Sequence, residues 1–206
     1  QAGERSEILA TASSYGKKLA QRSAQGKTLS FDELRNARWG ILEAGNNAGN
    51  RYPALYLADH YAGNTLADLD SVTVYASYEE LLRAAAEKTV DIVPLPARIL
   101  TENAALWQRE RSHSDDGGRS GFGQENGIFE DLRSLGETEP VYRAVALVPE
   151  DCGEALSSAL FSALGRLSET AEGREMLART GAERYAQVMP DALDGMKRAL
   201  SLEGES

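Results

Sequence analysis

Short apolar runs separated by amphipathic stretches organise the middle of the chain. Residues 39–42 form an apolar run typical of a buried strand in a parallel sheet. Residues 72–75, which are rich in β-branched side chains, predict a second strand. Residues 90–93 predict a third strand, closed by Pro94 and Pro96. Strands that alternate with helices indicate an α/β fold with a mainly parallel sheet flanked by helices.

Apolar residues recur at helical spacing after each of these strands. One predicted helix covers residues 52–61, with Pro53 in its first turn, where a missing N–H costs nothing. A second helix over residues 78–88 has Ser77 as its N-cap. The remaining predictions are a capped turn at 31–36, helices at 97–109, 154–168, 173–179 and 190–200, a weak strand at 129–135 and a stronger strand at 141–148.

A loop of small and amide residues, Gly45 to Asn50, lies between the first strand and its helix. Ligands in parallel sheets bind beyond the carboxyl ends of the strands, and a helix start presents N–H groups and a positive dipole end to anions. Asn46, Asn47 and Asn50 therefore offer donors to an anion, and Gly49 a permissive backbone. The alternative, that these residues only form a tight turn, stays open.

Two charged residues, Arg51 and Asp91, each have a ligand-binding interpretation and a structural one. Arg51 is either a charge-assisted contact for the anion or an ordinary exposed arginine. Asp91 lies within an apolar strand, where a carboxylate needs a partner. That partner is either a ligand group or a neighbouring part of the protein.

No set of residues in the chain forms a catalytic constellation. The two histidines, His60 and His113, have no metal-ligand spacing to the carboxylates and no Ser/His/Asp arrangement. We therefore predict no catalytic residue, no metal site and no cofactor, which favours a binding protein over an enzyme.

Charge and hydropathy narrow the possible partners. The chain has 22 Lys and Arg against 32 Asp and Glu, a formal charge of −10, and no basic stripe, which argues against nucleic acid and against an anionic membrane surface. No apolar run approaches the ~18 residues of a membrane span. The glycine-rich, charged residues 110–127 predict a surface loop. The chain begins without the features of a signal peptide, so Gln1 follows either a removed signal or a boundary within a longer sequence.

The order of these segments resembles the phosphonate and phosphate-type periplasmic substrate-binding proteins of ABC transporters. Residues 30–41, with the loop and helix that follow, resemble the strand and anion loop of that family. Residues 75–93 are similar to its segment of Ser-His, helix and Val-Asp strand, and residues 132–149 resemble its later crossover strand. The resemblance extends over about residues 28 to 190.

The resemblance implies a type II periplasmic-binding-protein fold with a ligand cleft between two α/β lobes. It maps the anion loop to Asn46, Asn47, Gly49 and Asn50, and it maps Ser77, Tyr78 and Asp91 to further ligand contacts. It also implies a periplasmic or extracytoplasmic location and a transient partnership with a membrane permease.

The sequence departs from the family pattern at three points. Asparagines replace the hydroxyl-rich loop, Tyr78 replaces a histidine, and the opening strand and helix of the first lobe have no counterpart. We expect residues 31–140 to form the second lobe, and residues 1–30 and 141–206 to form a partial first lobe with crossover and C-terminal helices. A fragment and a naturally reduced version both fit this pattern.

The resulting hypothesis is a solute-binding component of an ABC-type uptake system that binds a small anionic or zwitterionic ligand. The ligand's identity and the oligomeric state stay open. The alternatives are a ligand-sensing regulatory domain of the same fold and a cofactor-precursor enzyme on that fold.

Overall fold

The computed structural model describes residues 5–110, 121–140, 148, 151–179, 184–185, 187 and 189–201. The strands are β1 Ser6–Ala10, β2 Arg38–Leu42, β3 Ser71–Tyr75, β4 Ile92–Pro96 and β5 Arg133–Glu137. The α-helices are α1 Ser14–Ala24, α2 Phe31–Arg35, α3 Tyr52–His60, α4 Tyr78–Ala86, α5 Ala97–Trp107, α6 Ile128–Asp131, α7 Glu154–Arg166, α8 Ala171–Arg179 and α9 Asp194–Ser201. A π turn, Asn47–Arg51, leads into α3, and 3-10 turns cover Leu66–Asp68, Leu167–Glu169 and Pro190–Leu193.

The strands form one five-stranded sheet in the order β3-β2-β4-β1-β5. β2 runs parallel to β3 and β4, whereas β1 is antiparallel to β4 and β5. The predicted α/β fold with a helix-flanked sheet is confirmed, but the sheet is mixed rather than mainly parallel. β1 lies inside the same sheet as the strands of residues 31–140, although the predicted division assigned residues 1–30 to a partial first lobe.

Helices cover both faces of the sheet. Alternation along β1 directs Ile8 and Ala10 to a core shared with Leu19 of α1, Leu34 of α2 and Leu57 of α3. The opposite face contributes Leu9 of β1 and side chains of β4 to a core with α4 and α5; its members there include Leu81, Leu82, Val93, Leu95, Ile99, Leu100 and Trp107. The inner strands β2, β4 and β1 are thus buried between two helical layers, whereas the outer strands β3 and β5 are partly exposed.

β4 differs from its prediction because Pro94 and Pro96 lie inside the strand rather than after it. Both prolines lie opposite β1, where Pro94 pairs with Ile8 and Pro96 with Ser6, and both lie beyond the described pairing of β4 with β2 at Trp39 and Ile92. A proline is tolerated in a strand where its missing N–H interrupts no ladder hydrogen bond. The predicted strand 90–93 is therefore shifted: β4 begins at Ile92, continues through Pro94 and ends at Pro96.

The predicted weak strand at 129–135 is a short helix followed by a strand. Helix α6 begins after Gly127, whose N–H donates to the Glu130 carboxylate at 3.2 Å. Its last residue, Asp131, is buried and accepts a hydrogen bond from Trp107 Nε1 at 3.0 Å. Strand β5 then starts at Arg133, so the prediction was wrong about the first half of this segment.

The predicted helix starts are confirmed at two caps. The predicted capped turn at 31–36 is α2, which starts with a capping box of Ser30 and Glu33, and the Ser77 side chain accepts a hydrogen bond from Glu80 N–H at the start of α4. The predicted strand at 141–148 falls, apart from Val148, outside the described residues, as does the central part of the 110–127 loop.

Candidate ligand-binding site

The loops after β2 and β3 meet at the carboxyl edge of the sheet. The Tyr78 hydroxyl, at the start of α4, donates to Asn46 Oδ1 at 3.2 Å. Because α3 and α4 cover opposite faces of the sheet, this hydrogen bond joins the two helical layers across its edge. The structure therefore brings Asn46 and Tyr78 together, as the sequence predicts.

The helix after β2 begins with a π turn, in which Tyr52 N–H donates to the carbonyl of Asn47. The Asn46 side chain caps this turn, since its Oδ1 accepts from Gly49 N–H at 2.7 Å. Gly49 is buried, and a Cβ there would lie 2.8 Å from Leu42 Cγ, so the close approach of turn and strand requires glycine. The first N–H groups of a helix have no partner within it, and its dipole attracts negative charge.

The carboxamides of Asn46 and Asn47 have their oxygens engaged within the loop. Asn46 Oδ1 accepts from both Gly49 N–H and the Tyr78 hydroxyl, and Asn47 Oδ1 accepts from Arg51 Nη1 at 3.1 Å. These donors fix the orientation of each amide group. Among the residues that the structure describes, neither amide nitrogen has an acceptor.

Asn50 and Ser77 have roles within the fold itself. Asn50 Nδ2 donates to the carbonyl of Leu42 at 2.7 Å and ties the helix start to the end of β2. The Ser77 hydroxyl caps α4 through Glu80 N–H at 3.2 Å. Both residues lie at the expected edge, and whether they also contact a ligand stays a prediction.

Asp91 lies at the opposite, amino edge of the sheet, immediately before β4. Its side chain is only 4% exposed. Oδ1 accepts from Ser13 Oγ at 2.6 Å and Arg38 Nη2 at 2.7 Å, and Oδ2 accepts from Arg38 N at 2.9 Å and Nε at 3.0 Å. This placement corrects the grouping of Asp91 with the Asn46 loop, because the carboxylate joins the starts of β2 and α1 instead.

The environment of Asp91 stabilises its charged form. Burial alone raises the pKa of Asp91, but the hydrogen bonds from Arg38 and Ser13, with the Arg38 charge, outweigh burial and hold the pKa below its ordinary value. A hollow of ≈ 420 Å³ opens at this edge, lined by Arg38, Lys17, Lys88 and Asp91 among others. Its lining carries the cations Lys17, Arg38 and Lys88 beside the single carboxylate of Asp91, and it lies at the edge of the sheet opposite the Asn46 loop.

Two buried polar residues at the carboxyl edge escaped the sequence analysis. Ser6 is 0% exposed and its hydroxyl donates to the carbonyl of Ala48 at 2.8 Å, within the π turn. Thr138, directly after β5, is 1% exposed and accepts from Ser6 N–H at 3.1 Å. Ser6 lies in a polar stretch of sequence with no motif, and Thr138 lies in the segment that resembles the crossover strand, so only the strand pairing reveals that they support the loop.

The described residues meet neither the requirements of a membrane-spanning helix nor those of a metal site. Within these ranges, no helix is long and apolar enough to cross a membrane. No group of three or more His, Cys, Asp or Glu side chains in the described part of the chain is arranged to hold a metal ion.

A helix-flanked sheet with amide-rich loops at the carboxyl edge defines a lobe of the periplasmic-binding-protein class. The family model described as the periplasmic phosphonate substrate-binding protein of ABC transporters matches residues 2–193, so the chain belongs to that family. The predicted family and fold are confirmed. The prediction of a binding protein rather than an enzyme is also confirmed, because the family consists of substrate-binding proteins.

Solved structures share the fold at low sequence identity. XAC2383 from Xanthomonas citri, solved bound to ATP, is 14% identical, with 98% of this chain and 68% of that chain covered and a TM-score of 0.57. PhnD1 from Prochlorococcus marinus (MIT 9301), solved in complex with methylphosphonate, is 12% identical, with 100% and 70% covered and a TM-score of 0.51.

A binding protein component of an ABC phosphonate transporter from Pseudomonas aeruginosa is 12% identical over 99% of this chain, with a TM-score of 0.48. The chain spans 59% of the length of that protein. Among the curated proteins, none matches this chain.

Proposed function

We propose that the chain contributes a ligand-binding lobe to a solute-binding protein, and that the Asn46 loop holds a phosphonate or a related small anion. The observation that carries this proposal is the orientation of Asn46 and Asn47. Their amide oxygens accept hydrogen bonds from Gly49, Arg51 and Tyr78, so their nitrogens form a pair of donors at a helix start. Arg51, whose guanidinium contacts Asn47, adds a positive charge beside these donors.

Membership of the family supports a location and a partner. We propose that the protein acts outside the cytoplasm and delivers its ligand to the permease of an ABC transporter. The second half of the cleft comes from a first lobe to which residues 141–206 contribute, and closure is a hinge motion between the lobes.

Isothermal titration calorimetry with methylphosphonate tests the site. Asn46→Asp retains an N-cap acceptor for Gly49 N–H, because Asp caps helices as well as Asn does. It replaces the amide donor by a negative charge. We expect affinity to fall by about 10- to 100-fold, the equivalent of a lost hydrogen bond to a charged group of about 1.5–3 kcal/mol. Asn47→Asp should weaken binding in the same direction.

Asn36→Asp is the matched control, because Asn36 is an exposed residue just before β2, at the opposite edge of the sheet. It adds the same charge without touching the loop, so affinity should stay within about twofold of the original. Equal affinities for the Asn46→Asp and Asn36→Asp variants, with the original chain binding the probe, would rule out the Asn46 loop as the site.

A further inference from the structure

Ser6 and Thr138 mark the points at which the chain enters and leaves the sheet. β1 begins at Ser6, and Thr138 directly follows the end of β5. Besides Ser6 N–H donating to Thr138 Oγ1, the N–H of Thr138 donates to the carbonyl of Ser6 at 2.9 Å. Both side chains are polar and almost fully buried, which is costly unless their hydrogen bonds are made.

The Ser6 hydroxyl satisfies a carbonyl that the π turn leaves without a donor. In a π turn a carbonyl accepts from the N–H five residues later, as Asn47 does from Tyr52. The corresponding partner of Ala48 is Pro53, which has no N–H. Ser6 Oγ, which donates to the Ala48 carbonyl at 2.8 Å, takes the place of this missing donor.

Asn46 of the candidate site binds the N–H of the same peptide group, the one between Ala48 and Gly49. The carbonyl of Ala48 and the N–H of Gly49 belong to one planar group. Ser6 holds the carbonyl, and Asn46 Oδ1 accepts from the N–H at 2.7 Å. Rotation of this peptide would therefore turn the Asn46 carboxamide away from its hydrogen bond with the Tyr78 hydroxyl.

We propose that Ser6 is a positioning residue for ligand binding, supported by Thr138, and that it sets the orientation of the Asn46 amide through the Ala48–Gly49 peptide. This inference rests on the proposed function of the Asn46 loop. The hydroxyl touches no ligand. It fixes the donors before the ligand arrives, which reduces the entropy lost on binding.

The test compares Ser6→Ala with Thr11→Val, using methylphosphonate as the probe. Thr11 is buried directly after β1, and its hydroxyl donates to the Val90 carbonyl at 2.7 Å and accepts from Ser13 N–H at 3.3 Å, so it is a buried-hydroxyl control far from the loop. Both variants lose one buried hydroxyl, so the melting temperature should fall in both. Only Ser6→Ala should lower affinity, by about 2- to 10-fold, as expected from the loss of one hydrogen bond that orients a donor.

A second pair of variants tests the support from Thr138. Thr138→Val removes the oxygen that accepts from Ser6 N–H and should weaken binding, whereas Thr138→Ser retains this oxygen and should restore affinity. Hydrogen exchange gives a direct structural measurement, since the amides of residues 46–50 should exchange faster in Ser6→Ala than in Thr11→Val. If Ser6→Ala does not fold, the Thr138 pair decides the question.

The outcomes separate this inference from the proposed function. Failure of the original chain to bind methylphosphonate overturns the proposed function and, with it, this inference. Normal binding by Ser6→Ala, or equal losses in Ser6→Ala and Thr11→Val, overturns the positioning role alone. Loss in Thr138→Val without recovery in Thr138→Ser also counts against it.

Discussion

At the residue scale, Asp91 is a buried carboxylate whose partner the sequence does not identify. The pattern around Asp91 indicates a buried acid, but its cation, Arg38, is 53 residues away in sequence. The apolar run at residues 90–93 does not show whether Asp91 lies within the strand or just before it. The amino edge and the Arg38 partner therefore emerge only from the register between β2 and β4.

Replacing Asp91 by Asn should destabilise the fold and leave ligand binding unchanged. Breaking a buried ion pair costs about 3–5 kcal/mol, and the partial exposure of Arg38 reduces the expected loss to about 2–3 kcal/mol. Urea unfolding measures this loss. Asp70→Asn is the control, because Asp70 lies 3.8 Å from Arg35 on the surface and should change the free energy of unfolding by less than about 0.5 kcal/mol. Weakened methylphosphonate binding by Asp91→Asn would show that Asp91 contributes to ligand binding.

The contribution of Asp91 should also depend on pH. Because the pKa of Asp91 is lower in the folded than in the unfolded state, its stabilisation is complete above the unfolded value, near 3.9, and declines as pH falls towards the folded value. The difference in unfolding free energy between the original chain and Asp91→Asn should therefore be constant from pH 6 to 7 and shrink below about pH 4. A constant difference down to pH 2 would contradict the lowered pKa.

The Tyr78 hydroxyl should affect binding more than stability. Its hydrogen bond orients Asn46, so Tyr78→Phe should weaken methylphosphonate binding by about 2- to 10-fold. The ring is retained, so the melting temperature should change little. Tyr75→Phe is a suitable control, since Tyr75 ends β3 in the same part of the core. Equal affinities for the two variants would show that the Tyr78 hydroxyl does not orient the amide.

At the scale of elements, the sequence predicts the helices and strands that are specified by residues close together in the chain. β2 and β3 are short apolar or β-branched runs, and α3 and α4 combine an apolar period with a proline or a cap at the helix start. All four are confirmed. The five residues of β1 contain no information on its partners, so its place between β4 and β5 was not predictable. Helix α6 has four residues, too few to show a helical period.

The joint between β2 and the π turn depends on Gly49. A Cβ on Gly49 would meet three Leu42 side-chain carbons at 2.8–2.9 Å, whereas one on Gly45, in the same loop, would meet no heavy atom within 4 Å. Gly49→Ala should lower the unfolding free energy by about 1–3 kcal/mol through overpacking, and Gly45→Ala should be close to neutral. Chemical denaturation of both variants measures the contrast. Equal stabilities would mean that turn and strand separate freely.

At the scale of the molecule, the central strands and helix α7 differ in how deeply they are buried. β1 and β4 lie in the centre of the sheet with both faces covered, whereas α7 contains no buried residue among those the structure describes. Leu156 of α7 is 65% exposed and Phe161 is 41% exposed. This contrast supports the proposal of a first lobe for α7, because an amphipathic helix needs a partner for its apolar face. Helix α9, in contrast, lies against α3, where Arg198 donates to Asp59 Oδ1 at 2.6 Å.

Hydrogen exchange at equilibrium should therefore divide the chain into two parts. Segments with few buried apolar contacts open locally at lower free energy than the core, so we expect the α7 amides to have protection factors at least about tenfold below those of β1 and β4. Leu156→Gln is the control: it removes an exposed side chain and should leave the protection of the sheet unchanged. If α7 exchanges with the same opening free energy as β4, the helix unfolds together with the sheet, and the described residues form one cooperative unit.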